Sequence, residues 1–129
     1  MKLLLDTHTF LWADHDPTKL SDQARALLSD PAHERLLSVA SLWEMQIKSM
    51  LGKLTLRLPL PELIREHESV NSLIVLAVTS RHVFDLTALP SIHGDPFDRL
   101  LAAQTLELGW SLLSKDTVFD AYGVRRLWS

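Results

Sequence analysis

The sequence predicts an α/β fold built on a mainly parallel sheet covered by helices on both faces. Three observations predict it. Short apolar runs of strand length alternate along the chain with segments of helical spacing, the order that gives parallel sheets. The runs do not alternate between apolar and polar residues, as strands buried on both faces require. The chain, at 129 residues, 47% hydrophobic and 22% charged, has an ordinary globular composition. A chain of this length buries about two-thirds of its unfolded surface, so residues 1–129 are expected to form a single domain.

The strand candidates, in order, are Lys2–Leu5, Leu36–Ala40, Leu73–Val78, Trp110–Leu113 and Val124–Trp128. The third is rich in β-branched residues. A helix carrying Trp12 follows the first strand. Asp22–Leu28 sets Ala24, Leu27 and Leu28 on one face, with Ser21 placed to cap it. Leu42–Leu51 spaces Trp43, Ile47 and Met50 three to four apart and stops at Gly52. Glu62–Val70 follows two prolines. Phe97–Leu108 places Phe97, Leu100, Leu101 and Leu108 on one stripe, with Pro96 at its start and Gly109 at its end. Leu58–Pro61 and Leu89–Pro96 read as loops. There is no repeat, linker or low-complexity tract.

Several function classes are excluded. With no cysteine, there is no disulfide framework, thiol nucleophile or thiolate zinc site. In MKLLLDTHTF, Asp6 and His8 interrupt the apolar run too early for a signal peptide. The longest apolar stretch, Leu73–Val78, falls far short of the ~20 residues a membrane helix needs. A soluble, cytoplasmic protein without a membrane partner is expected. The net charge of −3 gives no bulk signature of nucleic-acid binding. With four glycines, the chain offers no phosphate-cradling loop. Ser41 lies in no nucleophile elbow.

The informative residues are acids. Asp6 ends the first strand, and Glu44 lies in the first helical turn after the second. Asp98 opens the helix that leads into the fourth strand, and Asp116 follows that strand. In an open parallel sheet the carboxyl ends of the strands share one edge, where ligands bind. Connectivity therefore brings Asp6, Glu44 and Asp116 to one rim, and Asp98 can reach it. Each acid also has a local use. Ser41 and Glu44 fit a capping box. Asp95 fits a cap for the helix in which Asp98 meets the dipole. Asp6 and Asp116 fit caps as well. Caps would accept serine, threonine or asparagine equally, yet all these positions hold an acid. Two such charges ~5 Å apart at a dielectric of ~20 repel by roughly 3 kcal/mol, so a converged cluster must bind protons or a cation. An all-oxygen cluster favours Mg²⁺ or Mn²⁺, and a metal held this way suits phosphodiester hydrolysis.

LLLDTHTFLW, SVASLWEMQIKSMLGKL, LPSIHGDPFDRLLAAQ and SKDTVFDAYGV together resemble the PIN-domain ribonucleases, most of all the VapC-like toxins of bacterial toxin–antitoxin pairs. The resemblance covers nearly the whole chain in order, and DPFDRLLAAQ is its most specific block. It implies a three-layer α/β/α fold whose five parallel strands run in the order 3-2-1-4-5. It also implies a Mg²⁺- or Mn²⁺-dependent endoribonuclease. The family's catalytic, metal-holding acids match Asp6, Glu44, Asp98 and Asp116. Its hydroxyl residue two places before the last acid matches Ser114. The implied partners are an RNA substrate, a cognate antitoxin whose C-terminal segment blocks the acidic groove, and a second copy of the chain. No clear basic patch marks where RNA would dock.

Other residues near the proposed site have two readings each. Thr7 can orient Asp6 or a metal-bound water, or bond locally. Asp95 is a helix cap or a supporting acid. Arg99 meets a phosphate or lies on the surface. Lys48 pairs with Glu44 four residues before it or binds phosphate. His8 and His93 are bystanders, or else bind metal or act as acids. Trp12 and Trp43 are expected in the core or lining a groove. Two rival functions remain. One is a non-catalytic binding module whose acids are helix caps. The other is a phosphoaspartate enzyme acting through Asp6, which His8 disfavours because such enzymes carry an acid at that place.

Overall fold

The computed structural model describes residues 1–92 and 94–129; His93, noted above beside the acids, lies outside the described residues. Five strands form one sheet: β1 (Lys2–Leu5), β2 (Glu34–Ser38), β3 (Ile74–Leu76), β4 (Ser111–Leu113) and β5 (Arg126–Leu127). Their order is β3-β2-β1-β4-β5 and every pair is parallel. In the register, Leu4 of β1 stands between Leu36 of β2 and Leu112 of β4. The helices are α1 (Thr7–His15), α2 (Asp22–Ser29), α3 (Val39–Met50), α4 (Leu60–Asn71), α5 (Ser80–Phe84) and α6 (Pro96–Leu108). Short 3₁₀ segments cover Pro17–Lys19, Asp85–Ala88 and Thr117–Tyr122.

The absence of alternation in the strands follows from a core on each face of the sheet. Leu3, Leu5, Leu37 and Leu113 face a cluster with Phe10 and Leu11 of α1, Leu28 of α2, Met45 of α3 and Leu63 of α4. Leu4, Leu36 and Leu112 face the opposite cluster, built from Leu101, Ala102 and Ala103 of α6 with Phe119 and Tyr122. Successive side chains of β1 thus enter different cores, and a polar residue on either side would be buried without a partner. Among the described residues, no helix is long and apolar enough to cross a membrane.

The ends of the elements differ from the sequence reading where a cap was ambiguous. The segment Val39–Ala40 belongs to α3, not to the second strand. The cap is Ser38, whose hydroxyl accepts from the Ala40 N–H at 3.0 Å, rather than Ser41. Strand and helix are joined without a loop, so the first serine takes the cap. Ser41 is buried a turn into the helix, and its Oγ has no partner among the described residues. Leu60 and Pro61 open α4 rather than a loop, because proline is tolerated in a first turn. The other expected caps form: Ser21 accepts from Ala24, and Asp95 accepts from Phe97 at 2.7 Å and Asp98 at 3.2 Å. Gly109 ends α6 at φ +64°, a left-handed conformation that glycine adopts without a Cβ penalty.

Candidate active site

The carboxyl rim of the sheet collects acids from four separate stretches of the chain. Asp6, at the end of β1, is 7% exposed. It caps α1 by accepting from the Thr9 N–H at 2.8 Å. Its second oxygen accepts from the Ser114 hydroxyl, just past β4. The Ser114 Oγ in turn accepts from the Asp116 N–H at 3.0 Å, so one hydroxyl orders both acids. Thr9 completes the seam by donating its hydroxyl to the Leu113 carbonyl at 2.8 Å. Glu44, buried on α3, receives the Thr7 hydroxyl at 2.6 Å and the Lys48 ammonium at 2.8 Å, one on each oxygen. Both oxygens therefore point into the site rather than back to the start of α3.

Asp6, Glu44, Asp98 and Asp116 line one cavity of about 130 Å³, together with Thr7, His8, Lys48 and Asp95. The convergence is visible in the electrostatics of Asp98. Burial and the negative charges of Asp95, Glu44, Asp116 and Asp6 push its carboxyl up to about 7. Burial also raises the Asp6 carboxyl, and the hydrogen bonds from Ser114 and Thr9 only partly offset this. The Glu44 hydrogen bond, with smaller contributions from the Asp95 and Asp98 charges, holds the Lys48 ammonium above its usual range. Lys48 is thus an ion-pair partner of Glu44.

Capping and convergence are not alternatives here. Asp6, Asp95 and Asp116 each cap a helix or 3₁₀ segment, Asp116 by accepting from Val118 at 3.0 Å, and they still line the cavity. Glu44 and Asp98 accept from no helix N–H among the described residues.

Arg99 is turned to another task. Its guanidinium donates to the carbonyls of Leu86, Pro90 and Ile92 and lies over the Tyr122 ring at 5.6 Å. It fastens the loop before α6 and does not line the acid cavity. Trp43 is not a core residue: it is 57% exposed and meets Phe97 edge-on at 5.1 Å. Trp12 is half-buried between His8 at 5.7 Å and Trp128 at 5.9 Å. Sequence reasoning missed Lys53 and Lys115 near the site. Lys115 directly precedes Asp116, a signal that was available; Lys53 follows the end of α3 with nothing local to mark it.

The donor set is all oxygen and holds more negative charge than Lys48 can balance, which suits a hard divalent cation. Among the described residues, no three of these carboxylates bring ligand atoms within 4.8 Å of one another. The tightest gathering of possible ligand atoms among the described residues is instead Asp14, Glu66 and His67, within 4.8 Å of one another. That trio already holds a cation of the protein's own, because Arg57 pairs with Asp14 at 2.9 Å and with Glu66.

Residues 3–124 match the PIN domain profile. The chain belongs to the PIN-domain family. Ribonuclease VapC22 of Mycobacterium tuberculosis (strain ATCC 25618 / H37Rv) is 30% identical over 115 residues, which is 88% of this chain and 86% of that protein. VapBC2 of Rickettsia felis, solved bound to a DNA fragment from its promoter, superposes with a TM-score of 0.75 at 16% identity, covering 100% of both chains. FitAcB of Neisseria gonorrhoeae superposes with a TM-score of 0.66 at 15% identity, over 97% of this chain and 96% of that one. At such identities the superpositions show the fold alone. In this PIN domain that fold, with strand order 3-2-1-4-5, is what brings the acids to one rim.

Proposed function

We propose that this PIN domain, taken as the whole of residues 1–129, is a divalent-metal-dependent endoribonuclease and the toxin of a toxin–antitoxin pair. The observation that supports this most directly is the shared cavity of Asp6, Glu44, Asp98 and Asp116, in which Asp98 is pushed up to about 7. The 30% identity to a ribonuclease VapC favours RNA as the substrate.

In this reading Asp6, Glu44, Asp98 and Asp116 hold Mg²⁺ or Mn²⁺, directly or through water. Such an ion, when bound, acidifies a water and offsets the charge that develops on the phosphate oxygens. A cation in the pocket would favour the ionised form of Asp98, against the burial and like charges that raise its carboxyl without one. Ser114 and Thr9 fix the orientation of Asp6, Thr7 and Lys48 that of Glu44, and Asp95 adds negative charge beside Asp98. Held this way, the carboxylates need no rearrangement as charge builds on the phosphate.

One solved structure that superposes on this fold, with a TM-score of 0.61 at 14% identity, is a toxin–antitoxin complex from Klebsiella pneumoniae, which favours a cognate antitoxin as partner and a homodimer within such a complex. An RNA substrate favours work in the cytoplasm. A digest of RNA with Mg²⁺ or Mn²⁺, against EDTA and against Asp98→Asn, tests the reading. Cleavage that needs the ion and fails in the variant is expected; equal cleavage with EDTA overturns it. The three helix caps among the acids favour one rival, a non-catalytic binding module. That rival expects no tight Mn²⁺ site and no change in Mn²⁺ affinity when Asp98 becomes asparagine.

A further inference from the structure

The acid cavity opens sideways onto two further hollows, and α1 forms the wall they share. One, of about 310 Å³, has Thr7, His8 and Lys48 in common with the acid cavity and continues past Trp12 and His15 to Lys53. The other, of about 270 Å³, has Asp6, His8 and Asp116 in common with it and adds Trp12 and Lys115. His8 borders all three spaces, and Trp12 borders both flanking ones. Together they make a trough across the first turns of α1, with the carboxylates along it.

The chemistry of the two flanks differs from that of the acid cavity. Lys53 and Lys115 are exposed, and neither has an ion-pair partner among the described residues. Lys48 is paired with Glu44. A phosphate chain approaching the carboxylates is repelled unless cations receive it on either side, and these two lysines stand there. Between them, the His8 and Trp12 rings lie 5.7 Å apart at 40°, and Trp128 supports Trp12 from behind at 5.9 Å. Supported aromatic faces flanked by cations are what single-stranded RNA uses, with bases on the rings and phosphates on the ammonium groups. A duplex keeps its bases stacked on one another and gains nothing from the rings.

We propose that this trough seats a single-stranded stretch of the RNA substrate on both sides of the phosphate that is cut. Bases lie against His8 and Trp12, and flanking phosphates meet Lys53 and Lys115. This seat rests on the RNA-cleaving reading above and supplies the docking surface that net charge did not mark.

Fluorescence anisotropy with a labelled single-stranded RNA of about 10 nucleotides, in EDTA so that nothing is cut, tests it. Both lysines are exposed, so Lys53→Ala and Lys115→Ala leave the fold intact. Together they are expected to weaken binding about tenfold and to flatten the salt dependence by about 0.7 in log–log slope per lost phosphate contact. His8→Ala is expected to weaken it about fivefold through lost stacking. A double-lysine variant with unchanged affinity and slope overturns the seat, and so does duplex RNA bound as tightly as the single strand. A cleavage assay separates the two readings. Lysine-dependent binding by a wild-type protein that cuts no RNA supports the seat and removes the nuclease. Cleavage with an unchanged KM in the lysine variants removes the seat and leaves the nuclease.

Discussion

The Asp14–Glu66 cluster and the acid pocket are built from the same carboxylates and differ in what answers their charge. Asp14 is nearly sealed, its side chain 3% exposed, yet Arg57 and His67 both reach it at 2.9 Å. Burial pushes its carboxyl up, and the hydrogen bonds and charges of Arg57 and His67 more than reverse this, leaving it below the usual range. The Arg57 hydrogen bond likewise lowers Glu66. Among the described residues that line the acid pocket, Lys48 is the one lysine or arginine, and it answers Glu44. Asp98 is left with burial and four like charges. The first cluster ties α1 to α4 and is complete in itself. The second holds repulsion that a cation from outside would relieve.

That contrast can be broken most sharply by activity. Asp98→Asn is expected to lower Mn²⁺-dependent RNA cleavage by about 100-fold or more, whereas Glu66→Gln leaves the initial rate unchanged. Equal losses in the two variants would erase the distinction. Ser114→Ala frees one oxygen of Asp6 and the Asp116 N–H, and is expected to cost about tenfold in rate. In that variant the urea midpoint should fall slightly and the metal affinity more clearly.

Arg57→Met should act in the opposite sense, lowering the urea midpoint because it leaves the Asp14 carboxylate without its guanidinium partner, with no effect on cleavage. A further effect is in pH dependence. Folded Asp98 keeps its proton up to about 7, while the unfolded chain releases it near 3.8. The folded state therefore binds more protons between these values, and the metal-free protein loses stability as pH rises through that window. Asp98→Asn should flatten this slope in a Tm series, and Mn²⁺ should restore the wild type at pH ~8. Asp14 contributes the reverse, stability that is lost as pH falls below its ordinary range.

The sheet was legible because Leu3–Leu5, Leu36–Leu37 and Leu112–Leu113 are apolar at every step, a pattern with one physical reading. The strand ends were less so: Ser38 and Ser41 are both competent caps, and only packing decides between them. The limits of α1 were hidden because Thr7, Thr9, Phe10 and Leu11 are all buried, which leaves no polar stripe to set the period. The acids could be gathered from connectivity and from the family resemblance. Lys115 could be placed beside them by its neighbour Asp116, whereas Lys53 could not, since it meets the same trough only through α1. Arg99, beside an acid in sequence, turns away because three backbone carbonyls and Tyr122 claim its guanidinium.

The seam joining Asp6, Thr9, Leu113 and Ser114 has a consequence for biosynthesis. Residues 6 and 114 are translated 108 residues apart, yet neither carboxylate of the pair Asp6–Asp116 is aligned without the other's strand. A nascent chain on the ribosome, still short of β4, lacks the hydroxyl that orders both. Its acid rim is ordered only once residues 6 and 114 have both left the ribosome and β1 and β4 have paired.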